Sequence, residues 1–316
     1  MDYAQVLEFS FAWLKDRPLV KYAALYWAAI FGFFLLLGLT AYLLFMPLVS
    51  RLLAGDLLSL LELFLAPGWF ITAFILFVVI AAFLYLLLIL ATLYIEALVL
   101  VRALRAAELP VAPFSLTRFV YLAFLYIVTF LAAFFSWFNK IFLSILASAA
   151  VLFVLSIVFI AARANLMGFF FLALSFLLFI VYCVVLIYNS LRLSQATAIF
   201  LTKGTGIVEA IKESWSLTQG RVLSIFLASL LVGVVGYIVV VLATLLVALV
   251  IAIPVFFALP MDPLARYNVA FTIGQVIAGF LVNPLWIFIS MFSAAAIYKN
   301  LLVDSGQLAA QKPKKE

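Results

Sequence analysis

Histidine is absent from the 316 residues, cysteine occurs once as Cys183, and charged side chains make up only 9% of the chain. The missing imidazole removes His-based general acid/base chemistry and, with only one thiol, a Cys/His zinc site. A lone cysteine cannot close an internal disulfide. No Gly-rich phosphate loop with its lysine occurs, so a nucleotide-driven pump has no support in the sequence. The expectation is a chain with no catalytic residue, no cofactor and no metal. The scarcity of charge also excludes a water-soluble fold, because soluble domains are about a quarter charged and about half apolar, whereas this chain is 70% apolar.

What is present is a series of long oily runs. Blocks at 22–47, 69–101, 119–138, 166–191, 222–259 and 269–298 are bounded by charged residues or proline, and each exceeds the roughly 18 residues that mark a membrane span. They are continuous and lack the alternation of a barrel strand. In lipid, where every backbone polar group needs an internal partner, that pattern predicts helices. The fold class expected is therefore all-α, a polytopic transmembrane helical bundle. The start, MDYAQVLEFSFAWLKDRPLVK, lacks the order of a cleaved signal peptide, and no cleavage is expected.

A seventh run, 141–162, is also long enough to cross. Hydropathy alone would count seven crossings, and charge arbitrates. If 141–162 does not cross completely, 14 of the 18 basic residues, in the groups Lys15 to Lys21, Arg102 to Arg118, Arg192 to Arg221 and Lys299 to Lys315, share one side, leaving Arg51, Lys140, Arg163 and Arg266 on the other. If it crosses, the division becomes 8 against 10 and the bias vanishes. Lysine and arginine are retained on the cytoplasmic side, so the sequence favours six crossings of the cell membrane with both termini cytoplasmic. The net charge of +6 is then explained by orientation, and no nucleic-acid partner is expected.

The chain divides into one integral membrane domain of three helical hairpins, 22–101, 119–191 and 222–301. Outer connectors fall at 51–68, 139–165 and 254–268, the middle one expected on or dipping into the outer leaflet. Residues 1–21 and 204–220 are expected as interfacial helices and 302–316 as a cytoplasmic tail. In 3–16, Gln5, Glu8, Ala12 and Lys15 share one face while Val6, Leu7, Phe11 and Leu14 share another. In 206–219, Glu209, Lys212, Glu213 and Ser216 oppose Val208, Ile211 and Trp215. Either helix could rest against its neighbours, the plainer reading, or sense lipid.

The stretch YNSLRLSQATAIFLTKGTGIVEAIKESWSLTQGR, with Arg192, Gly204, Glu209, Ala210, Lys212, Ser214, Trp215, Leu217, Thr218, Gly220 and Arg221, resembles a signature of a six-span prokaryotic membrane protein family. That family is related to the membrane domain attached to some glycerophosphoryl diester phosphodiesterases. The ending PLWIFISMFSAAAIYKNLL, with Pro284 and Tyr298, is similar to that family's last span. The resemblance covers about a third of the chain. It implies a membrane module, without the separate soluble domain that carries the phosphodiesterase activity.

Within the apolar runs Glu96 is the one ionisable candidate, six residues before Arg102 near a span end. An anchor to headgroup water or to a basic neighbour is the plainer role, and a proton or ion site the sharper one. On the last span Gln275, Gly279, Asn283, Trp286, Ser290 and Ser293 fall on one face, expected to pack against other helices. The functional alternative is a polar cleft of Glu96, Gln275, Asn283 and Ser290 beside Pro284. Small-residue faces are also expected at Ser229, Gly233 and Gly236, and at Ser144, Ser148 and Ser156. The function expected is a non-catalytic module that binds membrane lipids, other membrane proteins or its own copies. The alternative is a transporter or permease for a lipid-like or small apolar molecule.

Overall fold

A computed structural model describes residues 1–16, 18–53, 67–135 and 140–308. All the regular structure among them is helical. A short amino-terminal helix α1 (Tyr3–Ser10) and a 3-10 turn (Ala12–Lys15) lead into α2 (Leu19–Leu53), α3 (Pro67–Ala106) and α4 (Leu116–Phe135). Then follow α5 (Lys140–Ala161), α6 (Asn165–Leu193), α7 (Ala196–Lys203), α8 (Ile207–Leu217), α9 (Val222–Ala258) and α10 (Pro263–Asp304). Seven stretches are long and apolar enough to cross a membrane, which makes the chain a multi-pass helical membrane protein. The tail beyond 308 and most of the 51–68 connector lie outside the described residues.

Their surface is that of a protein dissolved in oil. Large apolar side chains such as Phe31, Phe83, Phe130, Phe176, Leu246 and Phe257 stand exposed along the helices, where a water-soluble protein would carry charge. Four helices, α2, α3, α9 and α10, have 35, 40, 37 and 42 residues. At ~1.5 Å per residue they measure about 52 to 63 Å, against a hydrocarbon core of about 30 Å.

The chain forms two compact units. The first comprises Met1–Trp13, Leu100–Val239 and Phe288–Glu316, the second Leu14–Val99 and Val240–Ile287. In the first unit α6 and α7 are separated only by the turn at Ser194 and Gln195. Two helices run antiparallel to this arm. Ala112 donates its backbone N–H to Leu201 (3.0 Å) just before α4 begins, and the far end of α4 reaches Tyr182, whose ring lies 5.9 Å from that of Phe134. Partner numbers fall as α4 advances. Helix α5 behaves the same way, since Ser175 Oγ donates to the carbonyl of Ala149 (2.9 Å) and Gly168 abuts Ser156 and Ile160. Because α4 and α5 are both antiparallel to the same arm, they point in the same direction and do not form a hairpin with each other. The middle connector expected at 139–165 falls on α5 and the turn after it. Most of it is a regular helix running along α6, and Arg163, at φ +63°, makes the reversal between them.

That reversal closes by backbone bonding: Ala164 N–H donates to Phe159 and Arg163 N–H to Ile160, satisfying the last carbonyls of α5 through a left-handed residue. On α5 the side facing α6 carries Ala149 and Ser156, both buried, while Ser144 and Ser148 are exposed. Of the three serines expected to share a packing face, only Ser156 does so.

In the second unit α9 and α10 approach closely where glycine permits it. A Cβ on Gly274 would stand 2.6 Å from the carbonyl oxygen of Ala248 and 3.1 Å from the Cβ of Ala252. The buried stripe on this part of α10 is Ala270, Gly274, Ala278 and Val282, spaced at i, i+4 so that one side of the helix meets its neighbour. Asp262 caps the start, accepting from the backbone of Leu264 and Ala265 (3.1 and 3.0 Å).

Candidate functional site

The polar groups of the first unit converge where α6, α7 and α8 meet. Arg192 ends α6 and is only 7% exposed. Its guanidinium lies 4.0 Å from the centre of the Trp215 ring, donates from Nη2 to the Trp215 carbonyl (2.5 Å) and from Nη1 to the Tyr188 hydroxyl (3.2 Å). The carbonyl of Arg192 in turn accepts from Ser214 Oγ (2.8 Å) and Thr218 Oγ1 (3.1 Å). An arginine can sit there without a carboxylate because an aromatic face and backbone oxygens replace part of its hydration.

The rest of the signature tightens the same joint. Gly204 ends α7 at φ +67° and Gly220 follows α8 at φ +74°, a left-handed conformation that costs other residues energy. Ala210 is fully buried, Lys203 pairs with Glu213, and Arg221 donates to the carbonyls of Leu301 (3.1 Å) and Asp304 (2.7 Å). Tyr298, also buried, shares a hydrogen bond with Thr202 (3.1 Å). The amino-terminal segment belongs to this knot as well: the Met1 amino group lies 3.3 Å from the Asp304 carboxylate, Asp2 N–H donates to Asn300 Oδ1, and Phe9 and Trp13 lie against Phe292 and Phe288.

Both helices expected at the interface are therefore docked. On α1 the buried side chains are Val6 and Ser10, while Leu14, placed on its apolar face by spacing, is 68% exposed. On α8 the buried set is Ala210, Ile211, Ser214 and Leu217, and Val208 is exposed. In the amino-terminal segment the expected and observed faces differ because α1 stops at Ser10, so the helical register does not carry on to Leu14.

The residues proposed for a polar cleft are only partly brought together. In the second unit Asn283 Nδ2 donates to the Tyr26 hydroxyl (2.5 Å), and Glu96 lies within electrostatic reach of that same tyrosine. Tyr26 had no signal in the sequence, being one of 13 tyrosines in an apolar run. Gln275 is exposed and has no hydrogen-bond partner among the described residues, and Ser290 falls in the first unit. The expected packing stripe is only partly the contact side: Asn283 bonds across to α2 and Ser293 is buried, whereas Gln275, Gly279 and Trp286 are exposed and the close contact with α9 is made by the neighbouring Gly274 stripe. Likewise on α9 Ser229 is exposed and the buried side runs through Ile225, Ala228, Val232 and Gly236.

Among the described residues no three His, Cys, Asp or Glu side chains stand close enough to hold a metal ion. No family model matches the chain, and neither a curated protein nor a solved structure matches it.

Proposed function

We propose that this chain is a non-catalytic membrane module whose work is to bind lipid, crossing the cell membrane six times with its basic end in the cytoplasm. One observation carries the reading: the buried polar side chains of the first unit, Arg192, Ser214 and Thr218 foremost, are turned inward to join helices, while the flanks of the long helices expose large apolar side chains. The shared direction of α4 and α5 supports six crossings over seven, because two helices that advance together are two parts of one traverse. The resemblance to the phosphodiesterase-associated membrane family accords with this, and its motif residues serve as the joint described above. The test is native mass spectrometry of the chain released from bilayers of known composition. Retained phospholipid is expected, and a stable chain that emerges bare would overturn the reading.

The second reading, transport of a small apolar or lipid-like molecule, is favoured by the Tyr26, Asn283 and Glu96 grouping in the second unit, since polar groups at span depth are costly unless they serve a path. Under it, Asn283→Leu abolishes flux in vesicles while leaving lipid retention intact. Under the first, that variant changes neither.

A further inference from the structure

Deepening that lipid-binding reading, and resting on it, we propose that the groove between α4 and the start of α8 holds an acyl chain of an anionic phospholipid whose phosphate is taken by Arg118. The groove has a volume of about 490 Å³ and is walled by Leu116, Thr117, Val120, Tyr121 and Phe124 of α4, with Ile207 opposite. Thr117, Val120, Tyr121 and Phe124 follow helical spacing along one face. From Leu116 to Phe124 the groove runs about 12 Å along the helix axis at ~1.5 Å per residue, within one leaflet of a core about 30 Å thick.

Next in sequence to Thr117 of that wall, Arg118 turns from α4 towards Gly204, three residues before Ile207 of the opposite wall: a Cβ on that glycine would stand 2.5 Å from Nη2. Among the described residues the guanidinium has no carboxylate and no hydrogen-bond acceptor, and its Nη1 is buried without a partner. The hydroxyl of Thr205, one residue on from Gly204, is likewise buried and unsatisfied. Neither carboxylate of α8 pairs with Arg118 among the described residues. Glu213 takes Lys203, and Glu209 folds back over Gly206 at the start of its own helix, so the helix terminus is not part of the site. A cation without an ion pair among the described residues, on the helix that walls an oily groove, is complementary to a lipid with an anionic head and an apolar tail.

The test uses the full chain in nanodiscs of equal parts phosphatidylglycerol and phosphatidylcholine. Native mass spectrometry would count the lipids retained by wild type, Arg118→Gln, Arg118→Lys and the groove-filling Val120→Trp. Wild type is expected to enrich phosphatidylglycerol, Arg118→Gln to lose that preference by about tenfold, as for removal of one charge-assisted contact, and Arg118→Lys to keep part of it. Val120→Trp is expected to lower retention of both lipids. Thermal unfolding in detergent reports whether each variant folds; if Arg118→Gln does not, Val120→Trp decides alone. Wild type with no retained lipid sinks the underlying function. Lipid retained equally by wild type and both altered sites overturns this site and leaves the function standing. A changed oligomeric state in Val120→Trp, with unchanged lipid, assigns the groove to a second copy and also overturns the proposal.

Discussion

At the residue scale, Arg192 shows how a membrane protein can bury a permanent charge. The guanidinium lies over the Trp215 ring while donating to the Trp215 carbonyl and the Tyr188 hydroxyl, and the backbone oxygen of the same arginine receives Ser214 and Thr218. Removing the side chain takes the donor from the half-buried Trp215 carbonyl and the Tyr188 hydroxyl and the cation from the Trp215 ring, so Arg192→Ala is expected to cost about 1–3 kcal/mol from lost charge-assisted bonding and cation–ring contact. Chemical unfolding in detergent checks it. Arg192→Lys should recover only part of the loss, because an ammonium cannot lie flat on the indole and donate in two directions. Much of this site was legible beforehand as a string of letters: Arg192, Ser214, Trp215, Thr218, Gly204 and Gly220 all stood out. Their roles were not, since no spacing rule says that an arginine 23 residues upstream meets a particular tryptophan.

Helices are the scale at which hydropathy succeeds and periodicity fails. The runs 141–162, 166–191 and 222–259 correspond to Lys140–Ala161, Asn165–Leu193 and Val222–Ala258, because the length of an oily run is fixed by backbone bonding in lipid. On α10 and α9 the side expected from spacing is only partly the buried one: Ser293 and Gly236 are buried, but Gln275 and Ser229 are exposed. In water the buried side is the apolar one, but here both sides are apolar, so the polar residues Gln275 and Asn283 do not mark the buried stripe of Ala270, Gly274 and Ala278. Close approach in lipid depends on small size more than polarity. Gly274→Leu is accordingly expected to push α9 from α10 and destabilise the second unit by about 1–3 kcal/mol. Gly279→Ala, with nothing within 4 Å of the new methyl, should be neutral or stabilising by up to about 1 kcal/mol through helix propensity. Thermal melting of the two variants side by side separates these outcomes.

For the whole molecule, the number of crossings turns on α5. In a Cys183→Ser background, single cysteines at Glu108, Arg163 and Lys212 can be labelled with a membrane-impermeant maleimide. Six crossings place Glu108 and Lys212 on one side and Arg163 on the other. Seven place Arg163 with Glu108 and move Lys212 across. The charge asymmetry and the common direction of α4 and α5 are independent grounds for the first outcome, one arising from insertion and the other from packing.

The helices of 35 to 42 residues tie this protein to the width of its surroundings. A rod of about 55 Å whose apolar length outruns a slab of about 30 Å must lean or stretch the lipid around it. Longer-chained phospholipids relieve that misfit and shorter ones worsen it, so lengthening the acyl chains of a reconstituted bilayer should straighten α9, a change visible as reduced tilt in oriented infrared dichroism. A chain built this way carries a gauge of bilayer thickness in its own dimensions.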